Sequence, residues 1–210
     1  MEKKTILIGR IKNGMIIEKE DEVALEHQLL IELKDGRKVR ITCTPTHVEE
    51  LILGRRYLLG DITKEELGIE EESSVGAMEL KDIFRIAGEM FEHPGSLFQD
   101  TGCAHSCVLV MDGKVIFSVE DIGRHNALDK VIGYALMHKI PISKCAVFSS
   151  GRFSGDYIQK VIDAGFKIAV SRAAVTSSAV ALAKEYNITM LGFVRNGSAN
   201  IYHEGEVSVR

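Results

Sequence analysis

The 210-residue chain has no apolar run near the roughly 18 residues needed to cross a bilayer. It has little net charge either: 26 lysines and arginines against 30 aspartates and glutamates leave −4. The first absence argues against a membrane-spanning helix. The second removes any global reason to bind nucleic acid or an anionic membrane, so an anion site must be local. Internal repeats and low-complexity segments are missing as well. The start, Met1-Glu2-Lys3-Lys4, lacks the apolar stretch and cleavage site of a signal peptide, which makes the cytoplasm the expected location. Cysteine is sparse, at four residues, and a reducing compartment would keep these mostly as thiols. Against these absences, a hydrophobic fraction of 45% and a charged fraction of 27% describe an ordinary globular protein.

The first third reads as β-rich. Residues 5–12 alternate, Asn13-Gly14 is a turn signal, and 29–33 with 38–43 bracket Asp35-Gly36 as a hairpin. Thr44-Pro45-Thr46 offers cap residues for a helix whose buried stripe is Val48, Leu51, Ile52, Leu58 and Leu59 and which Gly60 closes. Residues 61–77 are acidic and irregular, and they divide a smaller N-terminal part (1–77) from a larger domain (78–210). In the latter the spacing predicts a helix over 79–91 and a hairpin of 104–111 with 114–120. Helix 124–138, strand 144–149, helix 153–164, strand 167–171, helix 175–186 and strand 188–194 follow. A hairpin of 199–203 and 206–209, turning at Glu204-Gly205, closes the chain. The alternation implies right-handed crossovers and an α/β fold with a largely parallel stretch of sheet.

Chemistry concentrates in two strings. Thr101-Gly102-Cys103-Ala104-His105-Ser106-Cys107 and Glu120-Asp121-Ile122-Gly123-Arg124-His125-Asn126-Ala127-Leu128-Asp129-Lys130 put two thiols, two imidazoles, an arginine and several carboxylates within 30 residues. If 103–109 is a strand, Cys103, His105 and Cys107 share a face. The first turn of the 124–138 helix carries Arg124 and His125 over unpaired backbone N–H groups, which favour anions. In a parallel sheet, ligands sit at the carboxyl ends of strands. Three such junctions here begin at Asp121, Ser149 and Ser171. Each is rich in glycine or small polar residues and carries an arginine, Arg124, Arg152 or Arg172, which suits an extended polyanion such as a dinucleotide. No dinucleotide-fold or phosphate-loop glycine spacing is present. Cys43 and Cys145 lie in apolar runs and read as core. Tetrahedral zinc on Cys103, His105, Cys107 and His125 is disfavoured, because alternate strand residues stand about 6.5–7 Å apart.

These strings, with Ser150-Gly151-Arg152, Gln159-Lys160, Cys43-Thr44-Pro45-Thr46-His47 and the segment from Ile188 to Gly197, resemble the formate dehydrogenase accessory protein family (FdhD/NarQ). The resemblance runs from about residue 22 to 203. It implies a larger domain with a cytidine-deaminase-like three-layer α/β fold, beside a smaller β-rich N-terminal part, in a homodimer. It further implies a sulfurtransferase that receives sulfur as a persulfide from a cysteine desulfurase. The sulfur passes to a molybdenum or tungsten bis-molybdopterin guanine dinucleotide cofactor bound for formate dehydrogenase. The family's cofactor-binding stretch matches Phe193, Val194, Arg195, Asn196, Gly197 and Ser198. Gly102, His105, Gly123, Arg124, His125, Ser150, Gly151 and Arg152 are further candidates to line the cofactor site, and Phe153 or Phe193 could stack on guanine. The deaminase zinc signature itself is absent, so a zinc hydrolase on this fold is a remote alternative.

One departure matters. The family carries its sulfur on a Cys-x-x-Cys, whereas the corresponding Glu72-Ser73-Ser74-Val75-Gly76-Ala77-Met78 has no cysteine. The substitute thiols are Cys103 and, second, Cys107. A persulfide relay needs an accessible thiolate, which neighbouring cations favour. The alternative reading is a cofactor-binding chaperone that transfers no sulfur.

Overall fold

The computed structural model describes residues 2–70, 78–92 and 95–210, with the side chains of residues 91 and 92 left aside. The 72–77 stretch and the proposed boundary at 77 lie outside the described residues.

Strands β1 (Lys3–Lys12) and β2 (Met15–Ala24) form a ten-residue hairpin. Strands β3 (His27–Glu32) and β4 (Lys38–Cys43) form another, and helix α1 (Val48–Leu58) follows. After α2 (Leu80–Glu92) and the short α3 (Ser96–Thr101), the chain enters β5 (His105–Met111) and β6 (Lys114–Asp121). Next come α4 (Arg124–Met137), β7 (Cys145–Ser149), α5 (Gly155–Ala164) and β8 (Ile168–Ser171). Helix α6 (Ser177–Glu185), β9 (Thr189–Arg195) and β10 (Ser198–His203) complete the order.

Six strands make one mixed sheet in the order β10-β9-β8-β7-β5-β6. Strands β7, β8 and β9 run parallel, while β5 is antiparallel to both its neighbours. Side-chain alternation then divides the core in two. Cys107, Leu109, Val147, Ala169 and Met190 face α4, α5 and α6. Val108, Val110, Phe148, Val170 and Leu191 face Ile83, Ile86, Ala87 and Met90 of α2. This is the three-layer α/β arrangement that the resemblance implied. The five residues of β7 are all buried, as expected of a strand covered on both faces.

Three connections are two-residue loops with both residues at positive φ: Asn13-Gly14, Asp112-Gly113 and Asn196-Gly197. That geometry matches the strand twist and favours Asn-Gly and Asp-Gly. The third corrects the reading of the chain end. Strand β10 folds back on β9 about Asn196-Gly197, and no hairpin forms at Glu204-Gly205. Gly205 instead lies so close to the Asn187 carbonyl that a Cβ would stand 2.1 Å from it. The tail continues to α2, where Met78 and Val209 form a parallel bridge.

Helix α1 is laid directly on α4. A Cβ at Gly54 would be 2.0 Å from the Asp129 carbonyl oxygen, and one at Gly133 would be 1.8 Å from that of Glu50. Leu53, Tyr57 and Leu58 consequently pack on the main core, while Leu51 closes a small one with Ile31, Leu33, Ile41 and Cys43.

Candidate functional site

Because β6, β7, β8 and β9 point the same way, their carboxyl ends and the start of β5 share one edge of the sheet. The candidate residues converge there by topology. Strand β5 starts at His105, so only His105 and Cys107 share a strand face; Cys103 stands outside it, in the loop after α3. That corrects the three-residue alignment. Gly102, at φ 66°, ends α3 in the left-handed conformation and turns the chain out of the helix. The Thr101 hydroxyl then accepts from the Cys103 N–H at 3.0 Å.

The four cysteines separate cleanly. Cys103 is exposed and the other three are buried. Burial pushes the Cys43 thiol up, and it pushes Cys107 and Cys145 up to about 12. The Cys107 sulfur lies 3.8 Å from the Tyr157 hydroxyl, inside the α4–α5 face of the core. It therefore lacks the accessibility that a sulfur carrier needs.

Beside Cys103, His105 is half-buried and its pKa is lowered, first by burial and then by Arg124 and Arg152. It is neutral near pH 7 with two guanidinium groups around it. Gly151 makes room for one of them, since a Cβ there would come 2.9 Å from the Arg124 side chain. The hydroxyls of the junctions are spent on the loops. Ser150 Oγ accepts from the Ser106 N–H at 2.9 Å. Ser149 Oγ accepts from the Gly151 N–H at 3.1 Å, and Ser171 Oγ donates to the Gly151 carbonyl at 2.7 Å. Ser150 and Gly151 thus shape the edge.

Of the 193–198 stretch, residues 194–197 line a separate cleft of about 140 Å³ on the α2 side, together with Phe84 and Arg172, while Phe193 and Ser198 stand outside its lining. Phe193 sits within β9 at φ 53°, a conformation that side chains of its size seldom adopt, and its N–H donates to the Ala173 carbonyl at 3.1 Å. The Arg195 guanidinium lies 5.9 Å from the centre of its ring. Val194 is wholly buried in the core against α2, so its side chain is out of a ligand's reach. Phe153 is also wholly buried, stacked on Tyr157, so it cannot stack on a guanine; Phe193 does not line the cleft, and the aromatic residue that does is Phe84.

Under this edge lies a block of buried charge that the sequence did not place. Asp121 and Lys130 are both fully enclosed, with Nζ 2.7 Å from Oδ2. Thr44 completes the pair, its N–H and hydroxyl donating to Asp121 and its Oγ accepting from Lys130 at 2.6 Å. The other Asp121 oxygen accepts from the N–H of Gly123 and the amide of Asn126. Thr44 was expected to cap α1. It serves instead as the link between β4 and α4, and the residue before α1 is His47, in the left-handed conformation without a side-chain cap. One turn along α4, Asp129 is likewise enclosed and paired with Arg55 of α1 at 2.6 Å and Lys160 of α5 at 2.7 Å. The α1–α4 contact is what brings Arg55 there, and local sequence carries no sign of it.

Comparison with known proteins decides the family. The FdhD/NarQ family model matches residues 60–208. The chain belongs to the FdhD/NarQ family. A sulfur carrier protein FdhD from Listeria innocua is 30% identical over 247 aligned positions, covering 93% of this chain and 94% of the relative. A protein of the same name from Bacillus subtilis is 28% identical over 249 positions, covering 95% of each. The crystal structure of a formate dehydrogenase accessory protein from Desulfotalea psychrophila superposes with a TM-score of 0.86 at 25% identity, covering 99% of this chain. The six-stranded sheet and its edge are thus the fold of an FdhD family member. Among the described residues, no helix is long and apolar enough to cross a membrane, and no three His, Cys, Asp or Glu side chains are grouped to hold a metal ion.

Proposed function

We propose that this chain is a sulfur carrier for formate dehydrogenase. It takes sulfur from a cysteine desulfurase and delivers it to the molybdenum or tungsten bis-molybdopterin guanine dinucleotide that the dehydrogenase will receive. The carrying observation is that Cys103 is the one exposed thiol of four, at the strand-end edge, two residues from a neutral His105 with Arg124 and Arg152 around it. The relatives' name as sulfur carriers supports the same reading. In the loading step the Cys103 thiolate attacks the outer sulfur of the donor persulfide. The donor's S–S bond breaks, its thiolate leaves with the electron pair, and Cys103 holds the new S–S bond.

The chain suits the proposed cargo. Arg172 and Arg195 flank the α2-side cleft, the Asn196-Gly197 turn lines it beside them, and Phe84 adds an aromatic side chain to its wall. The cargo is the substrate here, and the chain's contribution is to bind it and to present sulfur at the same edge. The working unit on this reading is a homodimer, in the cytoplasm.

A second reading, a cofactor-binding chaperone without sulfur transfer, draws on the absence of any cysteine in residues 72–78. Incubation with a cysteine desulfurase and cysteine, followed by mass-spectrometric mapping of added sulfur, separates the two. Sulfur on Cys103 of the wild type, lost in Cys103→Ala and retained in Cys107→Ala, is the expected result. No added sulfur, with a Cys-x-x-Cys relative loading in parallel, overturns the transfer and leaves the chaperone.

A further inference from the structure

The cleft lined by 194–197 opens on the α2 side of the sheet, and a second basic site lies on the other side, where α4 and α5 begin together. There Arg124 Nη2 donates to Ser154 Oγ at 3.4 Å, and His125 Nε2 stands 3.0 Å from an Asp156 carboxylate oxygen, out of line for a hydrogen bond. One turn deeper are Arg55 and Lys160, the two partners of Asp129. Three cations thus surround two carboxylates. Of these carboxylates only Asp129 is enclosed; the Asp156 side chain is 69% exposed, so water screens its charge. His125 adds none, because burial and then Arg124 hold its pKa below the ordinary imidazole value.

The surplus positive charge is matched by donors without acceptors. Arg55 Nε, Arg124 Nε and His125 Nε2 are buried with no hydrogen-bond partner among the described residues; so is Asp129 Oδ2, but its charge is met by Arg55 Nη2 at 2.6 Å. A buried N–H left unpaired is costly, and more so on a charged group. The place is still reachable from solvent, since the side chains of His125, Arg55 and Lys160 are 25%, 19% and 17% exposed. A multiply charged group carrying several acceptor oxygens would answer both the charge and the missing acceptors.

We propose that Arg55, Arg124, His125 and Lys160 form a binding site for a tetrahedral oxyanion, free phosphate or a nucleotide phosphoryl group, between the starts of α4 and α5. It lies across the sheet from the Arg172–Arg195 cleft and does not depend on the sulfur-transfer reading.

Calorimetric titration of the full chain at constant ionic strength tests it, with inorganic phosphate in one arm and guanosine diphosphate in the other. Arg124→Gln removes a cation hydrogen-bonded to the Ser154 hydroxyl, and Lys160→Gln leaves Asp129 paired with Arg55, so both variants keep a folded reference, checked by thermal melting. Saturable phosphate binding that weakens about tenfold or more in both variants is the expected result. The same loss seen with the nucleotide alone keeps the site and assigns its anion to the nucleotide. The proposal falls if neither probe binds, or if both variants bind both probes as the wild type does.

Discussion

The first two turns of α4 hold two opposite uses of charge. At Asp129 and Lys130 the charges are fully enclosed and each meets counter-charges from other elements: Arg55 and Lys160 for the first, Asp121 for the second. At Arg124 and His125, one turn earlier, the groups sit at the lip of the sheet with donors unspent. One continuous string therefore serves as architecture at one end and as a candidate site at the other. What distinguishes the ends is depth. An enclosed ion must be compensated by the protein itself, while an ion at the edge can be left for a ligand.

The largest expected effect breaks the enclosed end. Lys130→Met leaves Asp121 buried without its counter-ion, and removing one partner of such a pair costs about 3–5 kcal/mol. For a chain of this size that lowers Tm by on the order of 10 °C. Calorimetric melting checks it, and a loss of less than about 1 kcal/mol would show that water reaches Asp121.

Next in size is the helix contact that delivers Arg55. Gly133→Ala places a methyl where the Glu50 carbonyl oxygen stands. The helices must part, at about 1–3 kcal/mol, the range for overfilling a packed contact. Because Arg55 rides on α1, the same change should also weaken anion binding at the start of α4. Denaturant unfolding and phosphate titration of the one variant read both effects.

These two cases mark how far the residues alone could be read. The order of helices and strands from β5 to β9, the Asn13-Gly14 and Asp112-Gly113 turns and the core positions of Cys43 and Cys145 were legible, because each follows from short-range periodicity or turn chemistry. The pairing of Thr44 with Asp121, across 77 positions, was not, nor was the approach of Arg55 to Asp129. Such contacts follow from how layers stack, and the tight Gly54–Gly133 crossing that fixes one of them resembles any other pair of glycines in a helix. Cys103 was misplaced for a smaller reason: a short helix precedes β5, and the strand starts two residues later than alternation suggested. The Glu204-Gly205 turn failed because its glycine answers a close approach, which composition does not distinguish from a turn.

At the exposed end, Cys103→Ala should change stability by less than about 0.5 kcal/mol, as for other surface substitutions. Yet it should abolish rapid maleimide labelling of the native protein, since the three remaining thiols are buried. Labelling that persists in the variant would place a second thiol within reach of solvent and weaken the assignment of Cys103.

The smallest effect concerns proton uptake at the edge. Burial and the guanidinium groups of Arg124 and Arg152 lower the His105 pKa below the ordinary 6.5, and burial with Arg124 lowers that of His125. Both imidazoles bind protons more readily in the unfolded chain than in the folded one. Stability is then fully present above about pH 6.5 and is lost as pH falls toward the folded values. His105→Gln should flatten the part of that decline due to His105, seen as a smaller drop in Tm between pH 7 and about pH 5. Arg152→Gln should flatten it in part, by relieving one of the two cations while leaving the burial. If His105→Gln leaves the slope unchanged, the imidazole is better solvated than its half-buried position indicates. The edge would then lack the neutral base beside Cys103 that separates it from the compensated charges below.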